Sequence, residues 1–338
     1  MQRLHAALVA CAALWLAAQP AHAEAEADAD EAAGPSSESA HAPTSPSTDY
    51  DEVIVTVAPH PRSRFDVIQG TAVISREELD RALQASIGET LAELPGVSST
   101  YFGPGASRPV IRGLDGPRIR VLQNGIGTLD ASVTSPDHAV VSDALQAQRV
   151  EIIRGAGTLL YSSAAVGGVV NVDDGRIPTQ LPDDWLEGEL RALYGSAADE
   201  KAVGGGLATG LGPVALRATG FFRDTDVLEI PGRPVSEAFA EANPGTDRGP
   251  KGEIPNSDTE SKGGTGGAAW IFDSGALGAA YGVTRSKYGI PAEPGEETRI
   301  DLEQQRVDLR GEWERNLAAF EKATLQLGYA SYEHTELE

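Results

Sequence analysis

The sequence predicts a small α+β domain followed by an antiparallel β-barrel of the membrane-crossing kind, and three observations predict it. Residues 148–172, QRVEIIRGAGTLLYSSAAVGGVVNV, set two β-branched runs around a Gly/Ser/Ala-rich middle that carries Arg154. Gly155, Gly157, Gly167 and Gly168 permit positive φ and close backbone approach, so the stretch reads as strand, compact turn, strand. From residue 64 to about 178, short helix and strand signals alternate, as in an α+β domain. Beyond residue 184 the hydrophobic period becomes two, with one apolar and one charged face in segment after segment.

The N-terminus has one cation, Arg3, an apolar run over residues 6–18, and Ala21-His22-Ala23 before Glu24. That is the pattern of a secretory signal peptide, residues 1–23, too short to span a bilayer. Leu8-Val9-Ala10-Cys11 is similar to a lipoprotein box, but the apolar run continues to Leu16 and so encloses Cys11. Cys11 is the single cysteine, so cleavage leaves neither disulfides nor thiol chemistry. The formal net charge is −23, and removing Arg3 takes it to −24, which argues against nucleic-acid binding.

Residues 24–50 form an acidic, Pro/Ser-rich linker. Residues 24–48 alone hold six acids and no Lys or Arg, a composition that cannot bury a core. Asp51-Glu52-Val53-Ile54-Val55-Thr56-Val57 follows. Val53, Val55 and Val57 share one face of an extended strand, with Ile54 and Thr56 opposite. A β-prone stretch between a polar tether and Pro59/Pro61 suits pairing with a partner's sheet. It also reads as the first strand of the next domain.

In that domain, Ser75 before Arg76-Glu77-Glu78 reads as a helix N-cap with an acidic first turn. Ser86 to Glu89 has capping-box spacing and opens a helix that stops at Pro95-Gly96. Two strands follow, one through Val110-Ile111-Arg112-Gly113 and one through Arg120-Val121 that ends in Asn124-Gly125, the favoured tight-turn pair.

In this order, and with residues 148–172 closing the series, these motifs resemble the plug domain of TonB-dependent outer-membrane receptors over about 120 residues. The departures are Asn124 for a usual acid, Ala156 for a usual proline, and Asp173-Asp174 after the last strand. The resemblance implies a plug over residues 64–178, in which Arg112-Gly113, Arg154-Gly155 and Gly167-Gly168 are structural motifs. It implies that residues 51–57 are a TonB box, bound by the periplasmic TonB protein with its inner-membrane energising complex. Arg112 and Arg154 are then expected to form plug–barrel or intra-plug ion pairs.

Residues 185–338 supply the barrel strands, apolar toward outer-membrane lipid and polar inward. Leu277, Ala279, Tyr281 and Val283 oppose Gly278 and Thr284; Val307, Leu309 and Trp313 oppose Arg306, Asp308, Arg310 and Glu312. Tight turns are expected at Leu211-Gly212-Pro213 and Asp273-Ser274-Gly275, and long extracellular loops at residues 223–262 and 289–303. About seven such strands fall short of the 22 of a plugged barrel, so the chain is expected to be the front portion of a longer receptor.

Ser135-Pro136-Asp137-His138, with Tyr288-Gly289-Ile290-Pro291, resembles the zinc-uptake branch, which implies Asp137 and His138 as metal ligands. Carboxylate oxygen and imidazole nitrogen suit Zn²⁺, although the pair also reads as a hydrogen-bonded loop. Residues 291–297 depart from the branch, being acidic where relatives are histidine-rich, and further ligands are expected largely beyond Glu338. No resident cofactor is expected, and zinc enters as transported substrate. The alternatives are a siderophore, haem or cobalamin receptor, kept open by Tyr101, Phe102 and Arg108, and an outer-membrane enzyme or adhesin. The chain lacks H-E-x-x-H, G-x-S-x-G and a phosphate-binding loop, so nothing supports an enzyme.

Overall fold

The computed structural model describes residues 13–16, 54–55, 62–63, 70–291, 297–314 and 322–337. Strand β1 (Ala13–Leu16) pairs antiparallel with the last strand of the chain, and β2 (Ile54–Val55) with β3 (Arg62–Ser63). The linker 24–50, and residues 51–57 apart from Ile54 and Val55, lie outside the described residues.

The α+β domain begins with β4 (Thr71–Ile74), α1 (Arg76–Ala82) and α2 (Ile87–Leu91). Both helices start where a serine can satisfy a free N–H. The reciprocal capping box forms at Ser75 with Glu78, whereas Ser86 accepts from the Glu89 N–H at 3.3 Å. A hairpin of β5 (Val97–Ser99) and β6 (Pro109–Ile111) follows. Then come β7 (Ile119–Gln123), β8 (Ile126–Gly127), β9 (Arg149–Ile153) and β10 (Gly168–Asp173). The Asn-Gly turn between β7 and β8 has positive φ at both residues, +52° and +83°.

The sheet runs β4-β9-β10-β7-β8, with β10 parallel to β7 and antiparallel to β9. Strand β10 is central and buried from Gly168 to Val172, which explains its unbroken β-branched run. A Cβ at Gly168 would meet the Ile111 Cδ1 at 2.6 Å, so the glycine lets hairpin and sheet touch. Leu79, Ile87, Leu91, Ile111, Val150 and Ile152 pack the core.

The second part is a wall of long antiparallel strands, neighbours in space as in sequence. It starts with β11 (Leu186–Gly195), β12 (Glu200–Leu211) and β13 (Val214–Thr225). The connection from β13 holds α3 (Glu237–Ala242) and a small hairpin of β14 (Leu228–Glu229) and β15 (Glu253–Ile254). The wall resumes with β16 (Thr259–Phe272), β17 (Gly275–Pro291), β18 (Glu297–Trp313) and β19 (Ala323–Leu337).

Residues 289–303, expected as a long loop, are mostly strand. β17 and β18 have 17 residues each, well beyond the roughly 9–11 that cross a bilayer. Their outer ends keep pairing through Lys287–Asp301 at 3.0 Å and Arg285–Glu303 at 2.8 Å, so charged residues read as loop belong to an extended hairpin.

Apolar side chains dominate the wall's outer face: Leu190 is 81% exposed, and Leu207, Leu211, Leu277, Tyr281 and Leu309 are exposed to lesser degrees. No described helix is long and apolar enough to cross a membrane. The inner face is charged and bonds the α+β domain. Arg223 pairs with Asp143 at 3.3 Å, Arg191 with Asp80 at 3.3 Å, and Gln148 donates to Glu189 at 2.6 Å. Arg176 bonds Asp174 and reaches Asp308 on β18 at 2.9 Å, and Arg306 also holds Asp308 at 2.9 Å. Burial disfavours ionised Asp174, but the Arg176 charge and its hydrogen bonds hold that carboxyl below its ordinary range.

The expected ion pairs of Arg112 and Arg154 do not form among the described residues. Arg112 is exposed at φ +52° in the turn with Gly113, and Arg154 donates to the Pro95 carbonyl at 3.2 Å. Arg112 sits in a turn and Arg154 ties the end of β9 to the Pro95 carbonyl, while the inter-domain charges come from other residues. Arg176→Met should loosen the docking of the domain, because it removes the charged partner of Asp174 and leaves Asp308 to Arg306 alone. A loss of about 3–5 kcal/mol is expected, read as an earlier urea midpoint.

Candidate metal centre

The loop from β8 to β9 carries Asp137 and His138. A short 3-10 turn, Ala131–Val133, is capped by Asp130, and the Ser135 and His138 N–H groups close two more turns onto Ala131 and Ser135 carbonyls. Ser135 Oγ donates to Asp137 Oδ1 at 2.6 Å, and His138 Nδ1 lies 3.0 Å from the same oxygen. Burial opposes ionisation of Asp137, yet the bonds from Ser135 and His138 hold its carboxyl below the ordinary carboxylate range. An ionised Asp137 accepts a hydrogen bond from Nδ1–H and leaves Nε2 directed away from the loop.

That nitrogen faces β19. His138 Nε2 is 3.1 Å from Glu336 Oε1, and the two imidazole centroids of His138 and His334 are 4.8 Å apart in an edge-on arrangement. One ligand atom each from His138, His334 and Glu336 lies within 4.8 Å of the others. Despite the short distance, the Nε2–Glu336 geometry fails as a hydrogen bond, and buried His138 Nε2 and His334 Nδ1 lack hydrogen-bond partners among the described residues. Two buried ring nitrogens without hydrogen bonds beside a carboxylate are a set of groups that a cation can join. Bond lengths near 2.0–2.2 Å put tetrahedral zinc ligands about 3.3 Å apart, so small side-chain adjustments would close the set. Three protein ligands leave one position open.

Of the residues singled out from sequence, His138 therefore reaches the cluster directly, while Asp137 stands behind it as the group that orients the ring. His334 and Glu336 were missed as ligands, and ligands were expected largely beyond Glu338. Their signal was present: Tyr332, His334 and Glu336 continue the period-two phase that turns Thr324 and Gln326 inward.

The α+β domain has a match among protein families. Residues 63–169 match the family model described as TonB-dependent Receptor Plug Domain. The plug-and-wall fold is shared with the copper transporter OprC at a TM-score of 0.64 and 20% identity, over 80% of this chain and 39% of that one. The alcaligin outer-membrane receptor FauA from Bordetella pertussis gives 0.57 and 15%, over 84% and 42%. A ferric enterobactin receptor (PfeA) mutant from Pseudomonas aeruginosa gives 0.57 and 19%, over 80% and 41%. The chain thus spans about two fifths of those structures' lengths.

If the Asp137 carboxylate orients His138, Asp137→Asn should weaken Zn²⁺ binding by about 10- to 100-fold without removing a ligand. Calorimetric titration of the variant beside the wild type checks this.

Proposed function

We propose that this chain belongs to a TonB-dependent outer-membrane receptor that imports a scarce divalent metal ion, zinc foremost, rather than to an enzyme. The observation that carries the reading is the convergence of buried His138 from the plug with buried His334 and part-exposed Glu336 from the wall, the facing ring nitrogens having no hydrogen-bond partner among the described residues. Both imidazoles are at least nine-tenths buried, and further barrel strands would only bury them more. Such a place takes an ion stripped of most of its water and has no room for a metal chelate of siderophore size.

Nitrogen and carboxylate ligands suit Zn²⁺ and also Cu²⁺, which binds such sets more tightly in general. The chain has one Met and one Cys, Met1 and Cys11, so no sulfur from the described residues selects Cu⁺. A chelate receptor remains the second reading. It draws on exposed Tyr101 and Phe102 and on the siderophore receptors that share the fold.

In the proposed cycle the ion binds at the end of the wall that carries the long connections, toward the outside. The periplasmic TonB protein pairs with residues 51–57 and pulls, and the plug shifts. Val55→Pro should remove a strand donor, abolishing zinc uptake by cells while purified receptor binds zinc normally. His334→Ala with Glu336→Gln should abolish both. Zinc binding that survives this double substitution would return the cluster to ordinary packing, and ferric-chelate binding by the same protein would favour the second reading.

A further inference from the structure

We propose that Tyr288, on wall strand β17, is a positioning residue that holds the plug's His138 in register with His334 and Glu336; this rests on the metal-ion reading above. Tyr288 is fully buried, and its hydroxyl accepts the Ala139 N–H at 2.8 Å. Ala139 is the residue after His138, so this bond fixes the peptide next to the ligand from the opposite body. The ring lies in an apolar cluster shared by plug and wall, with Ala106, Ala139 and Val141 on one side and Ile300, Leu302 and Tyr332 on the other.

The rest of the loop is pinned farther off. Gln304 of the wall donates to the Leu129 carbonyl at 2.6 Å, and buried Arg108 donates to Ser132 Oγ at 2.7 Å, with Ser132 bonded in turn to Asp130. These contacts hold residues 129–132, at the start of the loop. At its other end, the Tyr288 hydroxyl is the wall contact adjoining His138. Without it the Ala139 N–H finds another partner, water included, only if the loop moves, which carries the ring out of register and leaves the zinc-free fold nearly as stable.

The test is Tyr288→Phe in the full-length receptor, beside Tyr281→Phe, which removes a hydroxyl from the outer face of the same strand. Zinc titration, the zinc-free melting temperature and amide exchange at Ala139 are measured for each. A positioning role predicts zinc affinity weaker by about tenfold or more in Tyr288→Phe, faster Ala139 exchange and a nearly unchanged zinc-free melting temperature, with Tyr281→Phe like wild type. Unchanged affinity in Tyr288→Phe overturns the proposal, as does a loss matched by an equal fall in zinc-free stability. If the wild type binds no zinc, the metal reading fails and the positioning role with it. Ala139 exchange then still reports whether the hydroxyl holds the loop.

Discussion

A strand wall that is apolar outside and charged inside can be buried only if its inner charges find partners, and that requirement organises this structure. Arg223, Arg306 and Asp308 are each at most 4% exposed, on a face where unpaired charge would cost several kcal/mol. Each is answered: Arg223 by Asp143 and Glu200, Asp308 by Arg306 and Arg176. The plug supplies Asp143 and Arg176, so the pairing that makes the wall tolerable also sets where the plug sits.

Against that background the candidate metal cluster stands apart. Arg176, Arg191 and Arg223 meet carboxylates along the seam, whereas at His138, His334 and Glu336 two ring nitrogens without hydrogen-bond partners among the described residues lie beside a carboxylate. Asp137 adds to this, because it holds Nδ1 of His138 at 3.0 Å and so leaves Nε2 facing Glu336 at 3.1 Å.

Much of this was legible in the sequence, and what was not shares a cause. Periodicity and turn chemistry are local, so the capped helices at Ser75 and Ser86, the Asn124-Gly125 turn and the alternating wall strands could be read directly. Arg112 and Arg154 were misjudged because a motif position says that a residue matters without saying whether its charge or its backbone is used. Arg112 lies exposed in a left-handed turn, and Arg154 spends a guanidinium N–H on the Pro95 carbonyl. The ends of β17 and β18 were misjudged because charge was read as loop, where cross-strand ion pairs let charged strands run on. His334 and Glu336 could be placed on the inner face by counting in twos along β19. Their meeting with His138, almost 200 residues earlier, depends on how the plug docks, and no local pattern encodes that distance.

On the proposed reading, the division of ligands between two bodies has an energetic consequence. An ion bound only when plug and wall are docked stabilises that docking by RT ln(1 + [L]/Kd), about 4 kcal/mol at a thousandfold saturation. The loaded receptor is therefore the harder one to open, which gives an external energy source something to do. The same division makes release automatic. Once the plug moves, His138 and Asp137 leave with it while His334 and Glu336 stay on β19, so no fragment keeps the full set. Affinity is then a property of the seam, and whatever displaces the plug lowers it without a separate unloading device.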